Sequence, residues 1–240
     1  MRSSLYVGIS GQLSLSRQLD TIAGNVANAS TAGYRAEHVK FDTLLSHPPT
    51  GDVAFSAKAG TYFSRAAGEI VKTDNSLDVA LQGDAWFAIE TNAGRAYTRD
   101  GRMRISPEGN LQTLSGNRIL DVSGAGIQLA PGGGGVEIAR DGAISQGGRQ
   151  LSSLGLFSID AKARLTRGEN ASVIPDRAAT AVVDLSRIAV VQGYVERGNA
   201  NPVVEMTRLI AVQRSFEAVS AAIAGTDTTF QEAIKVLGAG

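Results

Sequence analysis

Two apolar stripes, one at each end of the chain, limit what this sequence can fold into. From the N-terminus, Met1, Leu5, Gly8, Gln12, Leu15, Leu19, Ile22, Val26 and Ala29 recur at alternating steps of four and three residues. That is the 3.5-residue period of a helix that packs lengthwise on another helix. Gly8 and Gln12 are the two members that are not apolar. Toward the C-terminus, Leu209, Val212, Phe216, Val219, Ile223, Thr226, Phe230, Ala233 and Leu237 repeat the pattern, broken at Thr226. Asn201 or Asn199 is placed to cap this second helix, and Pro202 suits its first turn, where a missing N–H does no harm. Such stripes also serve as faces lying on one globular core. Residues 68–190, however, show no helical pattern of comparable length. The two ends therefore have each other, or neighbouring molecules, as natural partners.

The middle reads as short strands. Trp86-Phe87-Ala88-Ile89-Glu90 and Arg95-Ala96-Tyr97-Thr98-Arg99 are β-prone runs separated by Asn92-Ala93-Gly94. Asp100-Gly101 is expected to turn the chain toward Met103–Ser106, and Pro107–Asn110 and Ser115-Gly116-Asn117 mark the next turns. Arg140-Asp141-Gly142 echoes Arg99-Asp100-Gly101 and suggests a second hairpin of the same kind. Pro131–Gly135 reads as a flexible loop. The fold class expected is α+β: long N- and C-terminal helices pairing as a discontinuous coiled coil, with an inserted mainly-β domain. The expected divisions are an N-terminal helix over 1–33, an extended linker over 34–67, a β-rich domain over 68–190, a return segment over 191–203 and a C-terminal helix over 204–240.

The sequence argues against most chemistry. Its 23 lysines and arginines balance 23 aspartates and glutamates, so whole-chain charge shows no excess of cations for a phosphate backbone, and no nucleic-acid partner is expected. There are no cysteines, which removes thiolate zinc sites, disulfides and thiol catalysis. No lysine follows a glycine as a phosphate loop requires, and neither Gly-x-Gly-x-x-Gly nor Gly-x-Ser-x-Gly occurs. The two histidines, His38 and His47, lack metal-ligand spacing and read as surface residues. Asp78, Asp84, Asp100 and Asp141 fall at turns, where carboxylates cap backbone. No catalytic, cofactor-binding or metal-binding residue is assigned, and no cofactor or small-molecule substrate is expected. The first residues lack the apolar core of a cleaved signal peptide, and no run is long enough to insert in a membrane. On those signals alone the location reads as cytoplasmic.

One string is more specific than a generic helix end. Ile22-Ala23-Gly24-Asn25-Val26-Ala27-Asn28-Ala29-Ser30-Thr31-Ala32-Gly33-Tyr34-Arg35 joins backbone-capping side chains to a glycine suited to left-handed geometry, then an aromatic anchor. It resembles the N-terminal signature of the flagellar rod and hook axial proteins. The residues that carry this turn are Asn25, Asn28, Ser30, Thr31, Gly33 and Tyr34. Leu77–Phe87 with Tyr97-Thr98-Arg99-Asp100-Gly101 resembles the entry to the β-domain of that family. Gln192–Glu196, Asn199–Val203, Glu205-Met206 and Gln213–Glu217 resemble its C-terminal motif. The three blocks stand in order across nearly the whole chain.

The resemblance implies a structural subunit of the basal-body rod, not an enzyme, in place of the cytoplasmic reading. It implies type III secretion through the flagellar export apparatus without a cleaved signal peptide, and a final place in the rod spanning the periplasm. Its partners would be copies of itself and other rod subunits, including the distal rod protein. The compact Lys40–Gly68 stretch, and Ala85-Trp86-Phe87 where distal subunits commonly carry Gly-Phe-Phe, favour the proximal over the distal rod. The seam between helices or subunits is expected at Leu5, Leu15, Leu19, Ile22, Val26, Leu209, Val212, Phe216, Val219, Ile223, Phe230 and Leu237. Burying such a stripe does not by itself offset the entropy of ordering a long helix, so both helices are expected to fray in a free monomer. The competing readings are an extracellular carbohydrate-active enzyme or adhesin, whose carboxylates would converge only in three dimensions, and a cytoplasmic coiled-coil scaffold.

Overall fold

The computed structural model describes residues 2–40, 43–46, 53–56, 60–130 and 132–238, with side chains for all of these except 2–6, 43–46, 53–56 and 226–238. His47 lies outside the described residues. The architecture is α+β: an N-terminal helix, a mainly-β middle and a C-terminal helix. The chain divides into two compact units. One comprises 1–27, 37–63 and 201–240; the other comprises 28–36 and 64–200.

The first unit holds both helices, α1 (Arg2–Ala27) and α2 (Pro202–Gly238). They run antiparallel: Ile223 packs on Gly8, Gln12 Nε2 donates to Ser220 Oγ at 3.1 Å, and Asn25 Nδ2 donates to Glu205 Oε2 at 3.2 Å. The two non-apolar members of the N-terminal stripe thus have physical reasons. Gly8 leaves room for a branched side chain, and Gln12 finds a polar partner on α2. Asn201 caps α2, its Oδ1 accepting from Val203 N at 3.1 Å and Val204 N at 3.3 Å, with Pro202 opening the first turn.

Within the expected extended linker over 34–67, the described residues form two antiparallel ladders. Glu37–Lys40 pairs antiparallel with Gly60–Phe63, and Thr43–Ser46 pairs with Val53–Ser56 inside it. Nested pairing satisfies backbone groups that a bare linker would leave to water. His38 is half-buried, its ring 5.4 Å from that of Tyr62, rather than simply on the surface.

The second unit is built from antiparallel ladders. Its main sheet runs Leu165–Arg167, Val173–Pro175, Gly94–Thr98, Trp86–Thr91, Arg118–Ile119, Leu111–Thr113, Met103–Ile105, with Leu156–Ser158 also pairing with Trp86–Thr91. A three-stranded meander, Val136–Ile138, Ala143–Gln146 and Arg149–Ser153, contributes Val136, Ile138 and Ile144 to the same core as Phe87, Ile89 and Leu111. Ala189–Gln192 pairs with Val79–Gln82, and Tyr194–Glu196 with Ile70–Lys72. The turns at 107–110 and 115–117 join paired strands as expected, with Gly109 and Gly116 at positive φ.

The Arg-Asp-Gly echo misleads. Asp141-Gly142 does turn one meander strand into the next, but Asp100-Gly101 separates two strands that do not pair with each other. Arg99 is buried and Arg140 is exposed. The same tripeptide serves two ends because its surroundings, not its local chemistry, decide. Pro131 lies outside the described residues. The backbone just before it is held at both its N–H and its C=O, because the Gln146 side-chain amide bonds Ala130 in both senses at 2.9 Å.

Replacing Asn201 with alanine should cost about 1 kcal/mol, seen as a lower thermal midpoint of the helical circular-dichroism signal, whereas Asn201→Asp should keep the wild-type midpoint.

Candidate functional site

α1 ends at Ala27 rather than at Gly33, and residues 28–33 form a turn. Thr31 N donates to Asn28 O at 2.9 Å, Thr31 Oγ1 to Asn28 Oδ1 at 3.3 Å, and Tyr34 N to Thr31 O at 3.2 Å. Ser30 is exposed. Gly33 has φ of +67°, and a Cβ there would overlap the backbone of Arg99 and Asp100. Its glycine identity therefore comes from a close approach of chain to chain, beyond the end of the helix. Tyr34 is buried beneath the Arg167 guanidinium, 4.4 Å from its ring, and packs with Ala36 and Ala200.

Arg35, next along the chain, enters the most constrained polar site among the described residues. The Glu196 carboxylate has 0% exposure and sits between two buried guanidiniums, Arg35 and Arg99. Arg35 NH1 lies 2.8 Å from Oε1, and Arg99 NH2 and Nε both lie 2.7 Å from Oε2. Gly68 N donates to Oε1 at 2.8 Å. Each carboxylate oxygen thus accepts one hydrogen bond, from Gly68 N or from Arg99 Nε, and faces one further guanidinium nitrogen in an ion pair.

Arg99 is equally engaged. NH2 donates to Leu81 O and NH1 to Gly83 O, both at 2.9 Å, and NH1 also donates to Ala85 O. With Nε donating to Glu196 Oε2, all three nitrogens of this guanidinium are engaged. Arg35 NH1 also reaches Ala66 O at 2.8 Å, and its guanidinium lies 5.6 Å from the centre of the Trp86 ring. Burial pushes Arg35 below its usual pKa, Glu196 opposes that shift, and the like charge of Arg99 reinforces it. The carboxylate is what holds two mutually repelling cations in one water-free place.

The backbone closes over the cluster. Gly33 N donates to Glu196 O at 2.8 Å and Arg197 N to Glu69 O at 2.8 Å. Asn199 gathers what remains. Its Oδ1 accepts from Ala36 N at 2.7 Å, its Nδ2 donates to Ala66 O at 2.7 Å, and its N–H donates to Tyr34 O at 3.1 Å. The points where the chain leaves this unit, after Ala36 and after Ala200, are thereby tied to one another. The Glu196 carboxylate is buried and faces protein groups at both oxygens. Its chemistry is structural.

The helical unit has a smaller counterpart. Asn25, fully buried, donates to Glu37 O at 2.8 Å and accepts from Glu37 N at 2.9 Å while also bonding Glu205. Glu205 in turn pairs with Arg208 at 2.7 Å. Glu37, Glu205 and Arg208 border a polar hollow with Gln18, Thr21, His38 and Tyr62. Its buried carboxylate, Glu205, is already committed at both oxygens.

The expected seam residues fall in two groups. In the described part of α2, only Glu205, Leu209, Val212, Phe216, Val219, Ser220 and Ile223 are other than exposed; on α1, Ile22 is buried and Leu15, Leu19 and Val26 are half-buried. The side chains of Leu5, Phe230 and Leu237 lie outside the described residues. A second apolar set remains open: Val203, Met206 and Ile210 on α2 are 72%, 52% and 54% exposed, and Val7, Ile9 and Leu13 on α1 are exposed too. Sequence reading missed the triad. Its one available signal was that Arg35, Arg99 and Glu196 each sit in a different one of the three motif blocks.

Three segments match known family profiles: residues 5–35 the flagella basal body rod protein, 80–146 the flagellar hook protein FlgE/F/G D1 domain, and 191–236 the flagellar basal body rod FlgEFG protein C-terminal. The chain is 45% identical over 238 residues to the flagellar basal-body rod protein FlgF of Mesorhizobium japonicum, covering 99% of each. The chain belongs to the flagellar rod and hook protein family. Proteins of the same name from Rhizobium meliloti and Caulobacter vibrioides are 39% and 34% identical, again across 99% of each chain. Each segment matched to this rod and hook family contributes one triad charge: Arg35 closes the first, Arg99 lies in the second and Glu196 in the third.

Glu196→Leu should strand two buried cations and lower stability by about 3–5 kcal/mol, read as a reduced urea midpoint of the fluorescence of Trp86, the single tryptophan. Gly33→Ala should destabilise by at least ~1–2 kcal/mol from the left-handed φ alone, with further loss from the overlap at Asp100.

Proposed function

We propose that this protein is a structural subunit of the flagellar basal-body rod, placed in its proximal part, and that it has no enzymatic role. The carrying observation is full-length similarity to basal-body rod proteins, joined to helices that keep a second apolar face exposed. Two relatives named FlgF reach 45% and 39% identity, which favours the proximal assignment, although the FlgF of Escherichia coli and the FlgG of Bacillus subtilis both stand at 28%.

In this reading α1 and α2 pair as a discontinuous coiled coil around the seam from Leu15 to Val26 and Leu209 to Ile223, continued by Leu5, Phe230 and Leu237. The exposed Val203, Met206 and Ile210 then bury against neighbouring subunits, either copies of this chain or other rod proteins, including the distal rod protein. Repeating one head-to-tail contact generates a helical tube, and torque passes through many such contacts from motor to hook. Export through the flagellar type III apparatus, without a cleaved signal peptide, brings the chain to the rod. The turn from Asn25 to Tyr34, with Asn28, Ser30, Thr31 and Gly33, is a folding element of the subunit before it is anything else, because its bonds are internal. A carbohydrate-active role is the rival from another class, and turnover of any glycan by the purified protein would favour it.

The direct test is deletion of the gene followed by electron microscopy of basal bodies: the rod should stop short at the proximal segment, and a complete rod would overturn the assignment. Two substitutions separate folding from assembly. Phe216→Asp places a charge in the half-buried seam and should abolish motility while secretion continues. Ile210→Asp, on the exposed face, should leave monomer stability within about 0.5 kcal/mol yet also block swimming. Circular dichroism of dilute monomer should show less helix than the assembled rod, and full helicity in the monomer would contradict the fraying of the terminal helices.

A further inference from the structure

The buried triad poses a question that stability does not answer. A buried ion cluster is matched or exceeded in stability by apolar side chains of similar volume, while the loss of one member is severe. What the charges add is conditionality. Arg99 is buried by its own neighbourhood, since the carbonyls that accept from it, Leu81, Gly83 and Ala85, lie within eighteen residues of it. Its counter-charge is 97 residues downstream. Arg35 reaches the same carboxylate from the opposite end of the sequence. Until Glu196 arrives, packing the strands around Arg99 and Trp86 would seal two like charges together with no buried anion, since Asp84, which also acts on Arg35, stays exposed.

The same stretch carries the missing backbone partners. Val79–Gln82 is paired in register with Ala189–Gln192, and Ile70–Lys72 with Tyr194–Glu196. Gly33 N and Gly68 N both donate to Glu196, one to its main-chain oxygen and one to its carboxylate.

We propose that the Arg35–Glu196–Arg99 triad is a closure gate: the β-rich unit does not acquire its packed state until the stretch 189–199 has entered it. Because chains are synthesised from the N-terminus, a nascent copy stays open through most of its length and closes only when nearly complete. The gate is a property of this unit alone and operates whichever assembly the protein joins.

Pulse-labelling hydrogen exchange on the refolding full-length chain tests it, with mass spectrometry following peptides from 86–98 and from 189–197. In the wild type both regions should gain protection in a single kinetic step. Native-like protection of 86–98 in an earlier step, while 189–197 still exchanges, would overturn the gate. Glu196→Gln should lower native-state protection of 86–98 about a hundredfold or more, or prevent folding; a fall of less than about threefold would count against the proposal. The triple variant Arg35→Met, Arg99→Met, Glu196→Leu removes the charges at similar volume. It should restore protection and let 86–98 close ahead of 189–197. If that variant folds with the two regions still in one step, strand pairing and not the triad controls closure, and the proposal is wrong.

Discussion

A carboxylate removed from water between two guanidiniums needs protein partners at its own oxygens and for the cations beside it, because an unpaired charge in such a place costs as much as a large core mutation. Glu196 meets that condition through Arg35, Arg99 and the Gly68 amide, and Arg99 meets it through three main-chain carbonyls as well. Those carbonyls belong to the stretch that leads into the Trp86 strand, the central strand of the main sheet. Gly33 is tied to the same cluster through Glu196 O, and Asn199 shares the Ala66 carbonyl with Arg35. A structural unit assembled from three remote segments is thus knitted at one point of charge.

The helical unit solves a different problem. Its seam is apolar with deliberate exceptions, Gly8 giving space to Ile223 and Gln12 bonding Ser220, while Asn25 joins α1 to Glu37 and Glu205. Polar contacts inside an apolar seam restrict sliding, because a shifted register would leave them unsatisfied. The side chains that remain outside the seam include Val203, Met206 and Ile210, a run at helical spacing that water does not favour. A subunit destined to be surrounded has reason to keep such a face, and a solitary globular protein does not.

Where bonds are local, the sequence is readable. The stripes mark both helices because the 3.5-residue repeat is a property of the helix itself, and Asn201 and Pro202 mark the start of α2 through capping chemistry within four residues. Gly109 and Gly116 mark hairpin turns because positive φ is a local demand. Failures come where the partner is distant. Gly33 reads as the end of a helix, whereas its neighbour is the Asp100 backbone. The Arg99-Asp100-Gly101 and Arg140-Asp141-Gly142 tripeptides look equivalent, and burial separates them completely. Residues 34–67 read as linker because four-residue strands carry too little periodicity to be told from extended chain.

Residue identity and short-range spacing are enough to set the order of elements, the two helical stripes, the absence of thiol chemistry and the family. Which charges meet is settled only when the chain folds. Arg35, Arg99 and Glu196 are ordinary residues in separate segments until the fold brings them together, and no spacing rule connects partners 97 positions apart. The fold also settles which half of each helix faces inward and which stays open. Periodicity specifies that a stripe exists, but burial is a property of what packs against it.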